Sequence, residues 1–276
     1  MVNEVMIEGG VAVITGAASG IGTGLARKAA EKGMKLVLAD VNADLLNSFA
    51  KSIDADVLAI PTDVTDMDAV DKLAEQAWQR FGQVDALFNN AGVMATGFTW
   101  EIEPRRWRQS MAVNVDGVFH GIRAFVPRLL AAQRPAHIVN TASVGGFLPS
   151  PLMAPYSTTK AAVVALTESL HLEMQMIGAP VRVSLLAPGP VQSSIFNDPF
   201  GDKVTPETAA FVDTMRTMLT ANGLSPDDFA ERVFAAMADG EYWIIPQPEA
   251  LDPLFDRRVQ AITGRQAPQN LDFSKL

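Results

Sequence analysis

Seven short apolar runs set the limits on what this chain can fold into: VAVIT (11–15), KLVLAD (35–40), DVLAI (56–60), VDALFN (84–89), HIVNTAS (137–143), VRVSLLA (181–187) and YWII (242–245). Each is rich in Val, Ile and Leu and flanked by turn residues, the pattern of a strand buried on both faces. Segments of helical length separate them at 20–32, 42–52, 66–81, 117–133 and 156–177, and Asp66 to Asp68 forms an N-cap region for the third. Parallel neighbours need a crossover, and each crossover covers one face. Repeated strand-helix-strand units therefore predict a doubly wound α/β domain with a mainly parallel seven-stranded sheet and helices on both faces. Residues 192–224 interrupt the alternation. Phe196, Phe200, Phe211, Met215, Met218 and Leu219, with Pro199, Gly201 and Pro206, predict a helical lid over a pocket. The Pro/Gly clusters at 188–190 and 246–248 read as loops and 247–276 as a C-terminal tail, so all 276 residues are expected to form one domain.

Composition removes several functions. The net charge of -9 (22 basic against 31 acidic residues) and a pI near 4.8 leave no cationic field for nucleic acid. With no cysteine there is no disulfide, thiolate metal site or cysteine nucleophile. The start, MVNEVMIEGG, does not read as a secretory leader, and there is no run of about 18 apolar residues to span a bilayer. A soluble, cytoplasmic protein is expected.

The first run ends in Thr15-Gly16-Ala17-Ala18-Ser19-Gly20-Ile21-Gly22 and leads straight into a helix. Glycines there let backbone approach a ligand closely, while free N–H groups and the helix dipole favour a pyrophosphate. The spacing Gly-x-x-x-Gly-x-Gly departs from Gly-x-Gly-x-x-Gly, and alone it fits a tight strand-to-helix turn equally. Asp40, about 20 residues beyond Gly20, adds weight, because an acid there accepts hydrogen bonds from an adenosine ribose 2′-OH and repels a 2′-phosphate. Neither Ser19 nor Val41 supplies a compensating positive charge, so NAD is preferred over NADP. Asp40 also reads as an N-cap or turn aspartate before Asn42, and the two roles are compatible. Downstream, Tyr156 and Lys160 stand four apart on one helix face, and Ser143 closes a strand that can point toward them. A nearby ammonium favours the ionised form of a phenol that otherwise titrates near pH 10. Taken alone, Tyr-x-x-x-Lys more often marks a half-buried tyrosine beside a solvated lysine.

Together the ordered motifs TGAASGIG, Asp63-Val64, Asn89-Asn90-Ala91-Gly92, Asn114, Ser143, Tyr156-Ser-Thr-Thr-Lys160 and Pro188-Gly189-Pro190-Val191 resemble the classical short-chain dehydrogenase/reductase family over residues 8 to 245. The resemblance implies a Rossmann-type domain with Tyr156 as acid/base. Lys160 lowers its pKa and holds the nicotinamide ribose, Ser143 holds the reacting oxygen, and Asn114 keeps a proton-relay water. It also implies Asp63 at the adenine, with Val64, Asn90, Ala91 and Gly92 along the cofactor beside Gly16, Ser19, Gly20, Ile21 and Gly22. Pro188 and Gly189 join the cofactor-binding set, and Val191 with Ser193 falls near the carboxamide, Ser193 standing where the family commonly has threonine.

The implied reaction interconverts a secondary alcohol and a ketone without metal. His120, His137 and His171 are scattered and read as ordinary core or surface residues. Met94, Phe147, Leu148, Met153 and Phe196 border the family's substrate site, so an apolar or aryl-substituted small molecule is expected; core packing is the alternative for each. Glu101, Glu103, Arg105, Arg106 and Arg108 read as a solvated mixed-charge run. The 156–177 helix is apolar around much of its circumference, and the family pairs it across a two-fold axis, so a homodimer or homotetramer is expected. The competing expectations are an NADP(H)-dependent carbonyl reductase and a nucleotide-binding regulator that keeps the fold without turnover.

Overall fold

The computed structural model describes residues 9–200 and 204–269. Its sheet carries seven strands, all parallel, in the order β3-β2-β1-β4-β5-β6-β7. They are β1 (Val11–Thr15), β2 (Lys35–Asp40), β3 (Val57–Pro61), β4 (Ala86–Asn89), β5 (Ala136–Thr141), β6 (Val181–Leu186) and β7 (Trp243–Ile244). The chain winds outward from β1 to β3, then returns to place β4 on the other side of β1. That reversal opens a crevice at the carboxyl ends of β1 and β4.

Strand alternation sorts the core into two layers. Val11, Val13, Val37 and Leu87 pack with helices α3 (Met67–Phe81), α5 (Gly117–Ala132) and α6 (Ala154–Met176), through Leu73, Phe125 and Leu170. Ala12, Ile14, Leu36, Leu38 and Phe88 face the opposite layer, where Leu25 of α1 (Gly20–Glu31) and Phe229 and Val233 of α8 (Pro226–Asp239) meet them. Helix α2 (Ala43–Ser52) begins at Asn42, whose side chain accepts from the Leu45 amide.

Several boundaries differ from the sequence reading. The fourth strand begins at Ala86 rather than Val84, because the Asp85 carboxylate is turned back to accept the Val11 amide at 2.7 Å. The charged run leads into α4 (Pro104–Met111), with proline at its first turn, followed by a π-helical turn over Ala112–Asp116. The expected insertion contains α7 (Pro206–Asn222), capped by Thr205; Gly201 lies outside the described residues. Much of the expected tail is helical, as α9 (Pro248–Thr263) buries Leu251 and Leu254. Residues 1–8 and 270–276 are also outside the described set.

Candidate active site

The β1–α1 turn works through backbone. Gly16 has φ +65° and Gly20 φ +51°, a region that side chains disfavour. A Cβ on Gly16 would come within 2.8 Å of the Ala91 Cα, and one on Gly22 would overlap the Gly16 carbonyl oxygen. Gly22 therefore closes the turn from behind and is not part of the cavity lining, whereas Gly16, Ser19, Gly20 and Ile21 are. Thr15 stitches β1 to β4: its Oγ1 accepts from the Asn90 and Ala91 amides at 2.9 and 3.1 Å. Asn90 Nδ2 returns a bond to the Thr15 carbonyl at 3.0 Å. Ser19 makes no side-chain cap, so the first-turn amides of α1 are left to a ligand or to water.

Asp40 accepts from the Ala18 amide at 3.0 Å and the Asn42 amide at 2.9 Å. It ties the glycine turn to β2 while Asn42 does the capping, so the structural role is a turn acid. A carboxylate holds about four lone-pair sites, leaving capacity for a hydroxyl pair. The next residue, Val41, is 72% exposed and brings no charge. Asp63 accepts from the Thr65 amide and hydroxyl at 2.9 and 2.8 Å.

At the other end, Ser143, Tyr156 and Lys160 meet in the cavity wall. Lys160 is 3% exposed, donates to the Thr141 carbonyl at 2.8 Å and lies 5.7 Å from the centre of the Tyr156 ring. Burial draws its ammonium down to about 8, still mostly charged at neutral pH. For Tyr156 the direction differs from the sequence expectation. Burial pushes the phenol above its ordinary value, and the Ser143 hydrogen bond works the other way without overcoming it. The lysine gives its bond to the Thr141 carbonyl, and desolvation is the larger of the effects on the phenol. Ser143 Oγ accepts from the Gly145 amide at 3.1 Å, which fixes its direction.

Asn114 is held behind this group rather than in the lining. Its Oδ1 accepts from the Val93 amide at 2.8 Å, while Nδ2 donates to the Val93 carbonyl and to Thr159 Oγ1, both at 3.0 Å. Thr159 in turn donates to the Tyr156 carbonyl at 2.8 Å. The π-helical turn thus locks the first turn of the tyrosine helix through a threonine that sequence reasoning passed over. Its only signal was its place inside the Tyr-Ser-Thr-Thr-Lys motif.

One cavity of about 710 Å³ runs from Asp40 and the glycine turn to Tyr156 and on to Met218 and Leu219. Asp63, Val64, Asn90, Ala91, Gly92, Pro188, Gly189, Val191 and Ser193 all line it. Met94, Met153, Tyr156 and Phe196 pack with Val212, Met215 and Leu219 of the region around α7. Leu148 also lines it, but Phe147 does not. A 3₁₀ turn at Val144–Gly146 carries Phe147 into edge contacts with Trp243 and Phe255 at 5.8 and 5.5 Å, a correction to the expected pocket. The segment over the cavity is held by three consecutive ties. Arg216 donates to the Phe196 carbonyl at 2.8 Å, Arg106 to the Asp198 carbonyl at 2.6 Å, and the Thr96 amide to the Pro199 carbonyl at 2.8 Å. Glu101, Arg105 and Arg108 are exposed as expected of the charged run, but Arg106 lines the cavity together with the following Gln109, a correction for that one residue.

The cavity fits a dinucleotide on its own features. Backbone is bared where a phosphate needs amides, and an acid stands where a ribose needs an acceptor. None of the three histidines lines the cavity. His137 is buried against the Ser184 hydroxyl at 2.8 Å, and burial lowers it to about 4; His120 meets the Val64 carbonyl at 2.8 Å, and the His171 ring lies 4.5 Å from that of Tyr242.

A family model described as short chain dehydrogenase matches residues 10–203. A crystal structure of a short chain dehydrogenase/reductase from Burkholderia phymatum in complex with NAD is similar at TM-score 0.92 and 37% identity, covering 97% of this chain and 99% of that one. The 1-deoxy-11-beta-hydroxypentalenate dehydrogenase of Streptomyces arenae is 37% identical over 246 residues, 87% of this chain and 83% of its own. The C alpha-dehydrogenase of Sphingobium sp. (strain NBRC 103272 / SYK-6) is 32% identical over 274 residues, 95% of this chain and 88% of its own.

Proposed function

Because this chain belongs to the short-chain dehydrogenase family, we propose that it interconverts a secondary alcohol and a ketone with NAD(H), using Tyr156 as acid/base. The observation that carries this reading is the single cavity joining the glycine turn and Asp40 to Ser143, Tyr156 and Lys160. Gly16, Ser19, Gly20 and Ile21 would hold the pyrophosphate half of the dinucleotide, Asp40 the adenosine ribose, and Asp63 and Val64 the adenine. Asn90, Ala91, Gly92, Pro188, Gly189, Val191 and Ser193 would flank the remainder. When bound, the nicotinamide supplies a hydride acceptor or donor for the carbinol carbon.

The chain's own residues manage the proton and the oxygen. Tyr156 Oη takes the hydroxyl proton during oxidation and returns it during reduction. Ser143 Oγ, steered by the Gly145 amide, holds the substrate oxygen. Lys160 places a positive charge by the phenol, favouring its ionised form against the burial that raises it. Asn114 and Thr159 position the helix turn that carries the tyrosine. Met94, Met153, Leu148 and Phe196 give an apolar wall that excludes water and favours an apolar or aryl-substituted alcohol.

Asp40, with only Arg106 and Lys160 as cations among the described lining residues, supports NAD over NADP. The whole chain would act as one unit, with α7 as part of the lid. Leu172, Met176 and Ile177 are exposed at the end of α6, and Phe119 is exposed on α5, which supports pairing of two or four copies through these helices. The deciding experiment is a panel of secondary alcohols run with NAD and NADP in parallel, read by reduced-nicotinamide absorbance. Reduction of NAD is expected with the bulkier apolar alcohols; no reduction with any alcohol, and none of any ketone in reverse, would remove the proposal.

A further inference from the structure

Arg106 is an anomaly in the cavity wall. Helix α4 is polar along its length, yet it brings Arg106 and Gln109 to the cavity. The Arg106 side chain is only 14% exposed. Its guanidinium carries five N–H donors and a charge it cannot shed. Only the bond from Nη2 to the Asp198 carbonyl, at 2.6 Å, is firm. Nη1 reaches Gln109 Oε1 and Asp198 Oδ2 at 3.4 and 3.5 Å, and Nε is shut away from water without a partner. The Asp198 side chain is 87% exposed, so its carboxylate is free to move into solvent. A cation this thinly bonded, with its carboxylate partner held only at 3.5 Å and largely in solvent, in a lining that also carries Met94, Met153, Phe196 and Met215, is better compensated by an anion that meets its fork directly.

We propose that Arg106 is the anchor for a carboxylate carried by the substrate, with Gln109 as a neighbouring donor and the Asp198 side chain displaced as the carboxylate enters. The planar fork of Arg106 matches a carboxylate geometrically, and the apolar remainder of the wall accommodates the body of a hydroxy or keto acid. The proposal rests on the alcohol/ketone reading above and narrows it to acids. A guanidinium serving only to latch the segment over the cavity would treat charged and neutral substrates alike, and that difference makes the idea testable.

The probes are alkanoic acids of graded length with a hydroxyl on the penultimate carbon, each paired with its methyl ester, together with para-(α-hydroxyethyl)benzoate and its methyl ester. The wild type is expected to prefer the acid of at least one pair. Arg106→Gln should lower the acid-to-ester ratio of kcat/KM for that pair by roughly 10- to 100-fold, the range for a lost charge-assisted hydrogen bond. Asp198→Asn should raise the same ratio, since a competing carboxylate is gone. Calorimetric titration with the corresponding keto acids and keto esters gives a second readout that needs no turnover and no Arg106 variant: acids should bind at least tenfold tighter, and less so at high salt. A ratio unchanged within threefold in Arg106→Gln, a ratio lowered in Asp198→Asn, or equal binding of acid and ester would overturn the inference. Oxidation of esters but of no acid would sink it and leave the proposed function standing. Oxidation of neither member of any pair, while other secondary alcohols are oxidised, would also overturn the inference alone; only failure with every alcohol and ketone would remove the function, and the anchor with it.

Discussion

The two ends of the cavity are made of different material. The β1–α1 end is backbone: two glycines at positive φ, a third with no room for a methyl, and amides held in place by Thr15 and Asp40. The far end is side chain: Met94, Met153, Phe196, Met215 and Leu219, with an arginine among them. Backbone geometry admits one residue type at each position, whereas an apolar wall accepts many residues of similar volume. On the proposed function, the first end would serve the cofactor common to every turnover, and the second would be free to follow the substrate.

Gly22→Val probes the rigid end most harshly. Its side chain has nowhere to go against the Gly16 carbonyl, so a loss of about 3 kcal/mol or more is expected, seen as a drop of several degrees in Tm. Unchanged melting would mean that the turn is softer than its geometry implies.

Lys160→Met separates stability from function at the reactive end. In the folded chain the lysine gives up its proton near 8, against 10.5 for the free side chain. Below pH 8 both states hold the proton and burial of the charge costs the fold on the order of 3 kcal/mol. Between 8 and 10.5 the unfolded state binds more protons, so wild-type stability rises with pH across that window. At pH 7 the variant should melt no lower than the wild type, the lost bond to Thr141 offsetting part of the gain, while turnover falls at least 100-fold. Melting curves of both proteins from pH 7 to 10 provide the check; a variant several degrees less stable at pH 7 would show that the buried charge is well compensated.

Asp40→Ala sharpens the comparison more gently. The NAD-to-NADP ratio of kcat/KM should narrow about tenfold as the acid that repels a 2′-phosphate is lost. Asp40→Asn, which keeps an acceptor for the Ala18 or Asn42 amide, distinguishes charge from turn geometry. The smallest effect is expected from Met218→Leu in the cavity wall: under about 1.5 kcal/mol in stability, with KM moving only a few-fold. A large loss there would break the contrast between the two ends.

The same contrast explains what was legible in the sequence. Strands buried on both faces announce themselves through unbroken apolar runs, and the glycine turn, Asp40, Ser143, Tyr156 and Lys160 come together because each sits at a strand end or on one helix face. Phe147 was misplaced because a single 3₁₀ turn decides which way its ring points. Arg106 was hidden by its charged neighbours, although Pro104 within the run was a helix-start signal. Helix α9 was readable from Leu251, Leu254 and Phe255 at helical spacing, but Pro248 and Pro253 made it resemble a tail. The lowered Lys160 and raised Tyr156 follow from burial, which no local pattern reports.

The proton-transfer role of Tyr156 is tested most directly by Tyr156→Phe, with kcat/KM for an oxidised alcohol and Kd for NAD measured on the same preparation. Removing one oxygen atom should lower kcat/KM by roughly 10²- to 10⁴-fold and leave Kd within threefold. Turnover equal to wild type would show that the proton leaves by another group and would contradict the account.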